Sequence, residues 1–264
     1  MFARPYDALA DVYEWLMPDD LVTPVGSAQA FSPLLEPLDR SARILDCAAG
    51  TGQLAVGLAA TGFSVVATDA SEGMIARTRA LAAQHHVDLP AFAYRWDQLP
   101  AAGLGHFDAV LCVGNSLAHA PGRAARQAGL AAMSSMLRDQ GLVVVTSRNW
   151  EQVREHGSRI EVADRLTERN GKAGLVVYAW TIPDRWEAPH QLDVAVALLH
   201  DPPAVTTTRE RLTLWPFTPQ ILGEDLRAAG LAQAATTYTP SANRYVVTAE
   251  KIEPIRGPAT ASSR

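Results

Sequence analysis

Between Asp46 and Gly52 the chain reads Asp-Cys-Ala-Ala-Gly-Thr-Gly, and Asp69 stands 17 residues beyond Gly52. Side chains this small let a ligand approach the backbone closely. A helix that starts at Gly52 directs its positive end at the same place. A carboxylate closing the following strand can accept both hydroxyls of a ribose. Loop, acid and strand order together predict a nucleoside site. A glycine loop alone would fit equally well with a tight strand-to-helix turn and a surface Asp.

Two nucleoside ligands compete for this pattern. Gly50-Thr51-Gly52-Gln53-Leu54-Ala55 satisfies the dinucleotide fingerprint, with Asp69 placed 19 residues after Gly50. Three features oppose a pyrophosphate. Asp46 directly precedes the loop, where it would repel phosphate but attract an ammonium and a sulfonium. Trp96-Asp97 follows the third predicted strand, offering a ring and an acceptor to adenine and its amino group. The chain also ends in an antiparallel hairpin rather than a second mononucleotide half. The ligand that meets all three is S-adenosyl-L-methionine.

The elements that must position these residues are legible as alternating apolar runs and helical stretches. Leu9, Val12, Tyr13 and Leu16 fall at helical spacing, and Pro18 and Pro24 are expected to break that helix. Five strands are predicted at 43–47, 63–69, 91–95, 108–113 and 142–147. Helices lie between them at 52–61, 71–86 and 122–137, with Ser71 as an N-cap. Strands alternating with helices argue a parallel sheet covered on both faces.

After Trp150 the rhythm becomes extended runs at 160–166, 175–180, 192–199 and 206–214. Turn signals separate them at Asn170-Gly171, Pro183-Asp184 and Asp201-Pro202-Pro203. A helix over 219–229 and a closing hairpin of strands 231–237 and 244–250 complete the chain. The expected fold is thus α/β: a Rossmann-like sheet of seven strands with an inserted antiparallel lid. The expected divisions are a helical cap over 1–40, a cofactor core over 41–156 and a lid over 157–215. Residues 216–251 would complete the core, and 252–264 would form a disordered tail.

The 264 residues are 48% apolar and carry a formal charge of −5. That length suits one α/β domain with an inserted subdomain. The mild acidity argues against a nucleic-acid surface or an anionic membrane as partner. Only Lys172 and Lys251 are lysines; the other basic residues are Arg. Cys47 and Cys112 sit at predicted strand ends and read as free thiols in a reducing compartment. No basic-then-apolar leader begins the chain and no apolar run reaches the ~20 residues of a membrane helix, so a cytoplasmic protein is expected. No His, Cys, Asp or Glu cluster has metal-ligand spacing, so no metal is expected.

Ile44 to Gly52 (ILDCAAGTG) and Ala67 to Met74 (ATDASEGM) resemble the first two motifs of class I S-adenosylmethionine-dependent methyltransferases. Two later segments narrow the resemblance. Gly114-Asn115-Ser116-Leu117-Ala118-His119 and Arg148-Asn149-Trp150 are similar to segments of the glycine/sarcosine N-methyltransferase family. The resemblance covers about residues 40–150 and, more weakly, 205–250.

That family implies methyl transfer to a small acceptor, chiefly N-methylation of an amino acid or a related amine bearing a carboxylate. It places Ala48 against the cofactor's methionine part, Asp69 on the ribose, and Met74 and Trp96 beside adenine. The Val113 carbonyl would meet the cofactor amine, with His119 close by. Tyr6 and Tyr13 would supply N-terminal aromatic contacts. With Asp46, Gly50, Gly52, Ala70, Asp97 and Ser116 these make up the expected cofactor site. Asn115 and Arg148 would bind the acceptor's carboxylate, which a guanidinium fork plus an amide holds well, and Trp215 would face the acceptor.

The chain departs from the family in three places. The N-terminal Arg that grips the methionine carboxylate has no counterpart in Asp19 to Pro24, Leu16 falls where a second N-terminal tyrosine is expected, and a tyrosine pair is replaced by Leu214-Trp215. A less polar acceptor pocket follows. Plainer readings stay open as well: Arg148 as a structural ion-pair partner, Asn115 as a loop cap and His119 as a satisfied histidine. An O- or C-methyltransferase of a specialised metabolite is the alternative activity. A protein that binds the cofactor without turnover is a second alternative, and homo-oligomerisation is left open.

Overall fold

The computed structural model describes residues 6–200 and 204–252. Its main sheet has seven strands: β1 (Arg43–Asp46), β2 (Ser64–Asp69), β3 (Ala91–Ala93), β4 (Phe107–Cys112), β5 (Leu137–Arg148), β11 (Leu231–Thr236) and β12 (Arg244–Lys251). Their order is β11-β12-β5-β4-β1-β2-β3. The first five strands pair in parallel, whereas β12 runs antiparallel to both β5 and β11. This is the expected class I methyltransferase architecture.

Helices α1 (Pro24–Leu35), α2 (Gln53–Ala60), α3 (Glu72–Gln84), α4 (Gly122–Ser135), α5 (Trp150–Glu155) and α6 (Pro219–Ala228) complete the layers. The sheet's two faces bury separate cores. Ile44, Val65, Ala109, Leu111 and Val144 pack with residues of α1, α2 and α3. Leu45, Val110, Val143, Val145 and Val247 pack with α4, α6 and the second sheet. Polar caps start the helices: Thr23, Ser71, Asn149 and Thr218 each accept a backbone N–H with the side-chain oxygen. Asp225 on α6 is fully buried and receives Arg126, Arg123 and Gln127 from α4, each at 2.8 Å. Leaving one partner of such a cluster uncompensated costs about 3–5 kcal/mol.

A second, antiparallel sheet follows α5. It holds β6 (Arg159–Val162), β7 (Thr167–Arg169), β8 (Lys172–Thr181), β9 (His190–His200) and β10 (Ala204–Leu214), in the order β10-β9-β8-β6 with β7 on β8. It grips the N-terminal segment. Arg169 donates to the backbone oxygens of Glu14 and Met17 and to Asp19. Glu210 accepts the Tyr6 N–H at 2.6 Å. The segment of Ala10–Leu16, a 3₁₀ helix, therefore lies between the second sheet and the glycine loop.

Several expectations need correction. Pro24 does not break a helix; it opens α1. At the first helical position the missing N–H costs nothing, because that donor is unpaired in any helix. Strand β5 begins at Leu137, five residues before the expected 142, because Leu137 pairs with Phe107 ahead of an irregularity in the ladder. Helix α5 and strand β7 were not expected; both are short and polar. The expected 201–203 turn and all but the first residue of the expected tail lie outside the described residues.

Candidate active site

The glycine loop leaves β1, an interior strand of the sheet, and is tied to β2 by the Ala49 N–H, which donates to the Thr68 carbonyl at 3.0 Å. Asp69 closes β2 and binds the loop directly: one carboxylate oxygen accepts the Gly50 N–H and the other accepts the Ser71 N–H, both at 2.9 Å. Burial holds its pKa above the usual carboxylate range. Each oxygen keeps a free lone pair for a ligand hydroxyl. Gly50 has φ +56°, and a Cβ there would make only an ordinary contact with the Tyr13 ring, at 3.8 Å. Gly52 differs. Its φ is +94°, and a Cβ there would lie 2.8 Å from the Thr78 side chain on α3. Gly52 thus serves helix packing, and it lines neither of the two cavities beside the loop.

Two cavities flank this loop. The first, about 410 Å³, is lined by Asp69, Ala70, Trp96, Asp97, Ser116 and His119 among others. Trp96 is fixed by its indole N–H, which donates to the Cys47 carbonyl at 2.8 Å, and by close contact with Gly129 on α4. Asp97 is exposed and is held by a two-pronged pair with Arg95. His119 meets the Tyr6 hydroxyl at 3.0 Å, and burial pushes its pKa down to about 4. It is therefore neutral at pH 7.

The second cavity, about 320 Å³, is lined by Tyr13, Asp46, Gly50, Met74, Val113 and Arg244 among others. Tyr6, Ala48, Asp69 and Ser116 line both cavities. Asp46 is fully buried, and one of its oxygens has no partner. Burial raises its pKa to about 7. The Val113 carbonyl accepts the Ser116 hydroxyl at 2.7 Å and retains a second lone pair. Burial also lifts the Tyr13 hydroxyl to about 12.

The expected acceptor residues sit beside these cavities rather than in them: Asn115, Arg148 and Trp215 line neither. Asn115 adopts φ +66° and accepts the Arg148 N–H with its side-chain oxygen at 3.0 Å. The Arg148 guanidinium lies over the Trp180 ring at 5.3 Å. It makes no hydrogen bond or ion pair with the described residues. Burial, then the charge of Arg244, push its pKa down to about 10. Trp215 donates its backbone N–H to Ala118 at 2.7 Å, stapling the end of the second sheet to the turn after β4. Sequence reasoning missed Arg244. Its signal was the closing strand itself, whose first residue must lie alongside the last residue of β5. Among the described residues no group of His, Cys, Asp or Glu could hold a metal, and no helix is long and apolar enough to cross a membrane.

A methyltransferase domain matches residues 44–141. An S-adenosylmethionine-dependent methyltransferase from Clostridium acetobutylicum superposes with a TM-score of 0.76, over 94% of this chain and 100% of that one, at 14% identity. The chain belongs to the class I S-adenosylmethionine-dependent methyltransferases, and S-adenosyl-L-methionine is their cofactor. Within them it is similar to glycine N-methyltransferase of Oryctolagus cuniculus, with 30% identity over 217 residues, 71% of this chain and 68% of the relative. It is also 34% identical to a glycine/sarcosine N-methyltransferase of Halorhodospira halochloris over 115 residues. That match spans 44% of this chain and only 43% of the relative's length. An amino pentose methyltransferase from Micromonospora echinaspora shares the fold with a TM-score of 0.72 at 19% identity, over 95% of this chain and 98% of that one.

Proposed function

We propose that the protein transfers a methyl group from S-adenosyl-L-methionine to the amine of a small acceptor that carries a carboxylate. The observation that carries this reading is the Arg148 guanidinium, held at the end of β5 with no anionic partner among the described residues. The strand ends of an open α/β sheet face its ligand crevice, and a half-buried charge without a counter-ion is costly unless a ligand supplies one.

The residues present fit the cofactor. Asp46 offers a buried, unpartnered oxygen to a cation, and Gly50 leaves open the space a Cβ would fill. Asp69 would take the ribose hydroxyls, Trp96 the adenine side, and Asp46 with the Val113 carbonyl the ammonium. When bound, the cofactor supplies an electrophilic methyl on a sulfonium. The protein then aligns the acceptor's lone pair and excludes water. Two charge roles divide the site: Asp46 faces the cation, and Arg148 orients the acceptor's carboxylate. His119, neutral and bonded to Tyr6, holds the N-terminal segment over the loop. The second sheet, which grips that same segment, acts as the lid. The amine must arrive unprotonated, so turnover should climb with pH until the amine is free.

The test compares an acid acceptor with its neutral amide, using wild type, Arg148→Ala and Arg148→Lys. Arg148→Ala should cut kcat/KM for the acid by roughly 10²-fold or more, since breaking a buried charge pair costs about 3–5 kcal/mol. Lys should rescue it only partly, because the two-pronged fork is lost. Equal methylation of acid and amide by wild type would make Arg148 structural and remove the carboxylate from this reading. A preference for an uncharged acceptor methylated at oxygen or carbon would replace it with an O- or C-methyltransferase of a specialised metabolite. The absence of Arg148 from both cavity walls favours that second reading. Cofactor binding without turnover across a broad acceptor panel would leave a binding protein.

A further inference from the structure

Positive charge is scarce around the second cavity. Arg244 is the one Lys or Arg side chain lining it among the described residues, and Asp46 and Asp69 line it too. The segment from Tyr6 to Phe31, which closes the cavity, contains neither Lys nor Arg. Arg244 opens β12 and stands in register with Arg148 at the end of β5. Register partners on adjacent strands point to the same face of a sheet. The Arg244 guanidinium has no hydrogen bond or ion pair among the described residues. Its charge acts on Tyr13, Tyr178 and Arg148. Tyr13 in turn stands against the cofactor loop: a Cβ at Gly50 would meet its ring at 3.8 Å. Gly50, Tyr13 and Arg244 thus span the cavity from the loop to β12.

The two neighbouring guanidiniums, Arg148 half-buried and Arg244 exposed, repel each other; Glu161 acts on Arg148 without an ion pair among the described residues, and an anion bound at each would relieve the repulsion. The function proposed above brings two carboxylates together, one on the methionine end of the cofactor and one on the acceptor. Only Arg244 of the two arginines reaches the cavity that Asp46 and Gly50 share. We propose that Arg244 receives the carboxylate of the cofactor's methionine end, which leaves Arg148 for the acceptor. Asp46 then faces the ammonium of that same end, so the zwitterion is held at both charges. The proposal rests on the reading that the cofactor lies along the β1 loop with its methionine end in the second cavity.

Calorimetry separates the two arginines. The probes are S-adenosylhomocysteine, which carries the amino-acid end, and 5′-methylthioadenosine, which lacks it. Arg244→Gln should weaken S-adenosylhomocysteine roughly tenfold or more, the scale of a lost hydrogen bond to a charged group. Its affinity for methylthioadenosine should stay as in wild type, and that second ligand also verifies that the variant is folded. Arg148→Gln should leave both affinities nearly unchanged. Equal losses on both ligands would overturn the proposal in favour of a structural Arg244. An unchanged S-adenosylhomocysteine affinity together with a raised KM for an acid acceptor would overturn it in favour of an acceptor role. If wild type binds neither probe, it is the cofactor placement that fails, and the Arg244 assignment goes with it.

Discussion

Asn115 and Arg148 are joined through the backbone of one and the side chain of the other: the Asn115 amide oxygen accepts the Arg148 N–H at 3.0 Å. The turn after β4 is thereby tied to the end of β5. Asn suits the position twice, since it also tolerates the left-handed backbone at φ +66°. Under the proposed function, Asn115 would act on the acceptor through Arg148, as a positioning residue.

That relationship separates two substitutions. Asn115→Gly keeps the backbone relaxed and removes only the hydrogen bond, a loss of about 1 kcal/mol. Asn115→Ala adds the left-handed penalty of about 1–2 kcal/mol. Thermal unfolding should rank wild type above Gly and Gly above Ala, whereas both variants should raise the acceptor's KM together. A KM that follows stability rather than the shared loss of the amide would assign Asn115 to the fold alone.

Asp69→Ala should weaken cofactor binding at least tenfold. A hydrogen bond to a charged group is worth about 1.5–3 kcal/mol, and the loop also loses its Gly50 anchor. Titration calorimetry with S-adenosylhomocysteine reads the change. Wild-type affinity in the variant would remove Asp69 from the site.

Asp46 makes binding depend on pH. Burial raises its folded pKa from 3.8 to about 7. The neutral form is favoured in the folded protein, so the stability that form confers is full below pH 3.8 and is lost as pH rises through about 7. A bound cation reverses the preference and draws the pKa down. Cofactor affinity should then climb as pH rises from 6 to 7.5, with proton release on binding that varies with buffer ionisation heat. Asp46→Asn should abolish the release. A wild-type affinity flat over that range would show that no cation sits against Asp46.

Gly50 and Gly52 should respond oppositely to alanine. Gly52→Ala combines a left-handed backbone with a Cβ 2.8 Å from Thr78. It should cost about 2 kcal/mol or more, from strain and overpacking. Gly50→Ala has room in the protein itself and should lose less stability, but its methyl would enter the second cavity and weaken the cofactor. Melting curves with and without S-adenosylhomocysteine distinguish the two effects.

The βα units were readable because each apolar run has its own turn chemistry; Ser71, for instance, caps α3 as its sequence position implied. The start of α1 was not, because Pro24 is compatible with both an ended helix and a first helical turn, and only the Thr23 cap decides. Asp46, Ala48, Asp69 and Trp96 were legible at the cavities because the loop motif is local. Arg244 was not, because its position depends on the pairing of β12 with β5, a relation between residues almost a hundred apart in the chain. Gly52 carries a demand that the motif alone does not reveal: its left-handed backbone and the Thr78 side chain on α3 leave no room for a Cβ.

The four residues common to both cavities form a neck, with Tyr6 on the N-terminal side and Ala48, Asp69 and Ser116 on the other. Tyr6 is the one member that belongs to no strand or loop of the sheet, and it is held by His119 and by Glu210 of the second sheet. A ligand spanning both cavities would pass Tyr6, whose hydroxyl is held by His119 after β4 and whose backbone N–H is held by Glu210 on β10. Under the proposed function, release of β10 would remove one of these two holds, and the exit of the spent ligand would then be linked to how firmly the second sheet keeps the N-terminal segment in place.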